Sequence, residues 1–232
     1  MKIDGARILL TGGSLGIGRE TARVLAAAGA RVVITGRDAA RLRKAAATAG
    51  AFAVVADVAN PDDIERTYQE AMAHLGGLDC LINNAGIGTF QEMEQVTLDE
   101  FERTFAVNVF GAALMAARAV KIFKQQRSRG NIVNIGSTAA LKGFAGGTVY
   151  GASKFALRGM TECWQQELRK HNIRVMLINP SEVATAFFDG KEYEAAPNKL
   201  STAEIAHAIK SVLAMEDRGM IPELAIWATN PW

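Results

Sequence analysis

Short apolar runs alternate with longer amphipathic ones along almost the whole chain. The runs Arg7–Thr11, Arg31–Thr35, Phe52–Ala56, Leu78–Asn83, Asn131–Gly136 and Ile173–Asn179 are rich in Val, Ile and Leu. They are apolar on both faces, as the buried strands of a parallel sheet must be. Between them, helical periodicity predicts helices over Gly18–Ala28, Ala39–Ala49, Pro61–Leu75, Leu98–Lys124, Tyr150–Lys170 and Thr202–Met215. Start signals agree. Asn60 precedes Pro61 and the acids Asp62 and Asp63, while Thr97 with Glu100 and Ser201 with Glu204 spell capping boxes. A last strand reads at Ile221–Trp227, and Trp227 and Trp232 are expected to bury this segment against another surface, a partner subunit included.

Strand and helix in alternation predict an α/β fold: a doubly wound parallel sheet of Rossmann type, three αβα layers, with right-handed crossovers. Neither a linker nor an internal repeat interrupts the pattern. A single domain over 1–232 is therefore expected, with one irregular insertion at about 186–201.

Composition adds exclusions. Of 232 residues, 49% are hydrophobic and 22% charged, the balance of a globular protein rather than a disordered one. The net charge is only +2, and the densest basic stretch, Arg37 to Lys44, is interleaved with Ala and Leu. A nucleic-acid partner is unsupported. No uninterrupted apolar run reaches the length of about 18 residues that suggests a membrane span, and the N-terminal apolar run is too short for a signal peptide. Cys80 and Cys163 stand far apart, and His74, His171 and His207 are scattered, so neither a disulfide framework nor a metal site is expected. Reduced thiols make a cytoplasmic location the expectation.

The segment Thr11-Gly12-Gly13-Ser14-Leu15-Gly16-Ile17-Gly18 follows the first strand and opens the first helix. Glycines there permit a tight turn and let backbone amides approach a pyrophosphate at the helix N-terminus. No Gly-Lys-Ser/Thr follows, which disfavours ATP hydrolysis. The second strand ends in Thr35-Gly36-Arg37, where an NAD-preferring fold usually carries an acid. Arg37 favours NADP(H), with NAD(H) as the alternative; the other reading of Arg37 is a solvated residue at the start of a helix.

Tyr150 and Lys154 are four residues apart on a predicted helix and share one face. An ammonium beside a phenol lowers a pKa that starts near ~10 and makes an acid–base group. Ser137 follows a buried strand at the carboxyl edge, where such sheets bind ligands.

At this point the sequence resembles the short-chain dehydrogenase/reductases of compact single-domain type. The motifs, in order, are Thr11-Gly12-x-x-x-Gly16-Ile17-Gly18, Asp57-Val58, Asn83-Asn84-Ala85-Gly86, Asn108 within Val107-Asn108-Val109, Ser137, Tyr150-x-x-x-Lys154, and Asn179-Pro180 with Thr185. The resemblance implies hydride transfer between a nicotinamide cofactor and a small-molecule ketone or aldehyde–alcohol pair. It implies that Tyr150 exchanges the proton, Ser137 polarises the carbonyl, Lys154 lowers the Tyr150 pKa and binds the ribose, and Asn108 anchors a relay water. Cofactor contacts are implied for Gly12, Ser14, Gly16, Ile17, Gly18, Arg37, Asp57, Val58, Asn84, Ala85, Gly86, Tyr150, Lys154, Pro180, Val183 and Thr185. A homodimer or homotetramer is implied too, paired through the helices Leu98–Lys124 and Tyr150–Lys170. The chain departs from the family after Pro180, where Ser181 and Glu182 replace the usual glycine-containing run; local cofactor geometry is expected to differ there. The substrate pocket is expected to be bordered by Leu141, Phe144, Phe187, Phe188 and Tyr193. The competing function is a non-catalytic dinucleotide-binding sensor on the same fold.

Overall fold

In the computed structural model, which describes residues 1–185, 187 and 198–230, seven parallel strands form one sheet. They are β1 (Arg7–Leu10), β2 (Arg31–Gly36), β3 (Phe52–Val55), β4 (Cys80–Asn83), β5 (Gly130–Ile135), β6 (Ile173–Pro180) and β7 (Glu223–Ile226). Their spatial order is β3-β2-β1-β4-β5-β6-β7. The chain thus winds outward from β1 in one direction, then crosses back and winds outward from β4 in the other. The reversal opens a crevice at the carboxyl ends of β1 and β4, the position at which open α/β sheets bind ligands.

Alternation along β1 divides the core. Ile8 and Leu10 face a cluster with Leu25 of α1 (Gly16–Ala27), Leu42 of α2 (Ala39–Ala49) and Ile205 and Ile209 of α7 (Thr202–Ala214). Leu9 faces the opposite cluster, with Ile64 and Tyr68 of α3 (Pro61–Leu75) and Met115 and Phe123 of α5 (Ala112–Gln126). Leu168, the last residue of α6 (Thr148–Leu168), joins this second cluster. These are the three layers that the two-faced apolar runs predict.

Two helices depart from the periodicity. The segment read as one helix from Leu98 is α4 (Leu98–Phe105), a π-helical turn at Ala106–Gly111, and then α5. A π turn widens the coil and re-aims the side chains within it, and such turns gather at functional sites; Asn108 lies inside this one. Leu98–Gln126 as a whole is long and apolar enough, with a window mean hydropathy of 1.5, to match a membrane span by length and composition. Half of that window is buried in the protein, where Met115, Ala119 and Phe123 pack on the sheet. At the other end, α1 starts at Gly16 rather than Gly18.

The insertion expected at 186–201 lies mostly outside the described residues, as do Phe188, Tyr193 and Trp232. Its base is described: Val183 and Leu200 form a parallel bridge, with the Ala184 amide donating to the Leu200 carbonyl at 3.0 Å. Trp227 follows the last residue of β7 and is 62% exposed in this chain, so any cover for it comes from outside the described residues.

Candidate active site

The turn after β1 is built by glycine and held by Asn84. Gly12 and Gly16 take positive φ values of 70° and 53°, which L side chains rarely adopt. A Cβ on Gly18 would sit 2.2 Å from the Gly12 carbonyl oxygen, so only glycine lets α1 pack this closely on the turn. Asn84 Nδ2 donates to the carbonyls of Thr11 and Gly12, each at 2.9 Å, while Thr11 Oγ1 accepts the amides of Asn84 and Ala85. The ends of β1 and β4 are thereby locked together. Helix α1 begins after Leu15 with no side-chain cap and no acid in its first turn. Its N-terminal amides and positive dipole end border the crevice, a setting that suits an anionic pyrophosphate.

One cavity of about 1010 Å³ runs from this turn across the carboxyl edge of the sheet. Every expected cofactor residue lines it: Gly12, Ser14, Gly16, Ile17, Gly18, Arg37, Asp57, Val58, Asn84, Ala85, Gly86, Tyr150, Lys154, Pro180, Val183 and Thr185. Ser137 lines it as well; Asn108 does not. At the β2 end, Arg37 is 64% exposed with Nη1 3.8 Å from Asp57 Oδ2. Arg41, which the sequence reading missed, lines the same end from the first turn of α2 and reaches Asp38 at 3.1 Å. Its signal was available: it follows the capping Asp38 by one helical step, beside Arg37.

The opposite half of the cavity holds the acid–base groups. Ser137 follows Gly136 at the end of β5 and caps a short 3-10 turn, Thr138–Ala140. Its hydroxyl accepts the Ala139 amide at 3.1 Å and stands near enough to the Tyr150 phenol to influence its ionisation. Tyr150 and Lys154 share the inner face of α6 and are both buried. Lys154 Nζ donates to the Ile135 carbonyl at 2.9 Å and lies 5.7 Å from the Tyr150 ring centroid. Burial governs both groups. It raises the Tyr150 phenol above its ordinary value, against a smaller opposing effect of the nearby Ser137 hydroxyl, and lowers the Lys154 ammonium to about 8. The lysine expected to lower the phenol's pKa is instead turned to a backbone carbonyl, and desolvation prevails.

Asn108 is fully engaged by protein. Its Oδ1 accepts the Ile87 amide at 2.9 Å, and Nδ2 donates to the Ile87 carbonyl at 2.9 Å and to Ser153 Oγ at 3.0 Å. Ser153 in turn donates to the Tyr150 carbonyl at 2.7 Å. Asn108 thus braces the loop after β4 against the helix that carries Tyr150 and Lys154.

A second brace escaped the sequence reading. Asn179 Oδ1 accepts the Ser137 amide at 3.1 Å, and Asn179 Nδ2 donates to Glu223 Oε1 at 2.6 Å. Glu223 also receives Arg158 of α6, Nε to Oε1 at 3.0 Å and Nη2 to Oε2 at 3.1 Å. No local motif marks Glu223, since its partners come from α6 and β6.

The departure after Pro180 is accommodated simply. Ser181 has no positive φ, so glycine is not required there, and its amide continues the ladder to the Ile226 carbonyl at 2.8 Å. Glu182 pairs with Lys199 at 2.6 Å across the base of the insertion. Thr185 still reaches the glycine turn, with Cγ2 3.3 Å from where a Gly16 Cβ would stand.

Residues 6–195 match the sequence model of the short chain dehydrogenase family. The chain is 37% identical over 195 residues to an L-xylulose reductase of Caenorhabditis elegans, covering 83% of this chain and 77% of that enzyme. It is also 37% identical to a 3-oxoacyl-[acyl-carrier-protein] reductase of Bos taurus, covering 75% of this chain and 74% of that one. Among solved structures, a 3-ketoacyl-(acyl-carrier-protein) reductase of Brucella melitensis complexed with NADH superposes with a TM-score of 0.89 at 30% identity, covering 99% of this chain and 100% of that chain. A short chain dehydrogenase of Burkholderia cenocepacia in complex with NADP superposes at 0.88, also at 30% identity, covering 100% of this chain and 98% of that one.

Proposed function

This chain belongs to the short-chain dehydrogenase family and is an oxidoreductase of the CH–OH/C=O couple; from that premise we propose that it is an NADP(H)-dependent carbonyl reductase using Tyr150 as proton donor. The observation that carries this reading is the convergence of Ser137, Tyr150 and Lys154 on one cavity, with the Ser137 hydroxyl near enough to the Tyr150 phenol to oppose the rise of its pKa. Two hydroxyls that meet at one point can both donate to a single carbonyl oxygen.

Reduction adds a hydride to the carbonyl carbon and a proton to its oxygen, and a bound reduced nicotinamide supplies the hydride. Ser137 orients and polarises the carbonyl, and the Asn179 bond to its amide holds it in place. Tyr150 gives up its proton as the alkoxide develops. Its raised pKa keeps it protonated at neutral pH, the state needed for reduction. Lys154 would hold the ribose hydroxyls with its buried ammonium, and Thr185, which lines the same cavity, would hold the carboxamide. The uncapped α1 turn suits the pyrophosphate, and Ser14, Arg37 and Arg41, which line one end of the cavity, suit a 2′-phosphate, with Gly36 rather than a carboxylate ending β2.

The helices α5 and α6 expose Leu114 and Phe155, and the π turn exposes Phe110, at 46%, 45% and 57%. This apolar surface supports pairing of two copies through these helices.

The test is an initial-rate survey of carbonyl compounds with NADPH and NADH, followed at the nicotinamide absorbance band. Turnover with NADPH is the expected result. Absence of turnover on every ketone and aldehyde, by protein that binds the cofactor, would overturn the reading.

A further inference from the structure

We propose that the substrate is a flat, apolar ketone, aryl or alicyclic, held against an aromatic wall made by Phe90, Phe144 and Phe187; this rests on Tyr150 being the proton donor. Three segments distant in sequence supply the wall. The Phe90 ring lies 5.2 Å from the Tyr150 ring at 53°, and Phe187 lies 5.6 Å from it at 60°, edge to face. Phe144 extends the surface, 6.1 Å from Phe90. All three line the same cavity as Ser137 and Tyr150.

The rings are seated by glycine. A Cβ on Gly88 would stand 2.6 Å from the Phe90 ring and 2.7 Å from that of Phe187, and one on Gly147 would stand 2.5 Å from that of Phe144. Contacts this close exclude any other residue while the rings hold these positions. Yet Phe90 and Phe144 keep 38% and 49% of their surface exposed. Aromatic faces turned into a cavity beside a proton donor gain free energy when a flat apolar group covers them.

Ser137 and Tyr150 serve the carbonyl itself, and the charged side chains Arg103 and Lys142 line the same cavity without belonging to the aromatic wall. The side chain after Phe90, Gln91, is turned onto the Gln95 carbonyl and the Glu100 carboxylate. A polyhydroxylated substrate would bring hydroxyls to a wall of ring carbon, and leaving them unpaired is costly.

The test is calorimetric binding to protein saturated with NADP+, whose oxidised nicotinamide cannot reduce a ketone, run beside NADPH turnover. The probes are 1-phenyl-1,2-propanedione, L-xylulose and acetoacetyl-coenzyme A. We expect the aryl dione to bind at least about tenfold more tightly than the other two, the order of discrimination an apolar pocket supplies. Phe90→Ala and Phe144→Ala should each weaken it by about tenfold, whereas Phe90→Leu, which keeps most of the apolar volume, should lose less. Retained NADP+ binding identifies folded variants. Tighter binding of the ketose or the thioester, or an aryl affinity unchanged by both alanine variants, would overturn the proposal. Tight aryl binding without NADPH turnover would instead contradict the reductase reading and leave the wall intact.

Discussion

Asn179 reaches both ways at once: its carbonyl oxygen accepts the Ser137 amide at 3.1 Å, and its amide donates to Glu223 at 2.6 Å. Through Glu223 and Arg158 the strand end that bears Ser137 is tied to the helix that bears Tyr150 and Lys154. Asn179 is wholly buried and lies against Gly136, where a Cβ would come within 2.1 Å of its oxygen. Its position therefore depends on its hydrogen bonds and on glycine together.

Glu223→Ala removes the acceptor from both Asn179 and Arg158. It should lower stability by about 1–3 kcal/mol, the cost of leaving a buried amide donor unsatisfied, and lower kcat while changing the cofactor Kd little. Urea denaturation and single-turnover rates check this; an unchanged kcat would show that the brace does not position Ser137.

Burial sets a pH limit. With Lys154 lowered to about 8 and Tyr150 raised, it is the lysine that first loses its proton on the alkaline side. In reduction, kcat/KM for NADPH should be level below about pH 8 and fall above it, because this parameter reports the free enzyme. Stability runs the other way. The unfolded chain holds the Lys154 proton up to its ordinary value of 10.5, so between about 8 and 10.5 it binds more protons than the folded chain, and this lysine's contribution to stability rises with pH. A pH–rate profile and denaturation midpoints across that window test both signs.

Arg37→Ala should weaken NADPH binding by about 10- to 100-fold, the loss of charge-assisted hydrogen bonds to a 2′-phosphate. NADH binding should change far less. Arg41→Ala should act in the same direction, because the two guanidiniums line one end of the cavity. Fluorescence titrations with both nucleotides measure the difference; equal losses would assign the arginines no role in choosing the cofactor.

Phe110→Glu places a charge in the exposed apolar surface of the π turn. Sedimentation should show the wild-type chain as an oligomer and the variant shifted to monomer, with its far-UV spectrum retained. A wild-type monomer would refute the pairing.

Much of this was legible because it is local. Two-faced apolar runs mark the strands, and the order of Gly12, Gly16 and Gly18 after β1 marks a turn whose close packing excludes side chains. Tyr150 and Lys154 share a helical face by spacing alone. What was not legible depends on long-range partners. Lys154 turns to Ile135, so burial rather than a neighbouring charge governs the phenol, and no spacing rule foretells that choice. The π turn holds Asn108, whose partners Ile87 and Ser153 lie outside its own segment. Trp227 was expected to lie against another surface, a partner subunit included; that it also lines the cavity is set by the register of β7 on β6. Phe90 occupies an ordinary loop position, and only the fold sets its ring beside Tyr150.

The most direct test of the account is Tyr150→Phe, measured for NADPH-dependent ketone reduction and for NADPH affinity in the same preparation. Loss of the hydroxyl removes the proposed proton donor while keeping the ring that packs against Phe90 and Phe187. The account predicts a fall in kcat of at least about 100-fold, the scale of general acid catalysis, with NADPH affinity largely retained. A variant that reduces ketones at the wild-type rate would contradict it.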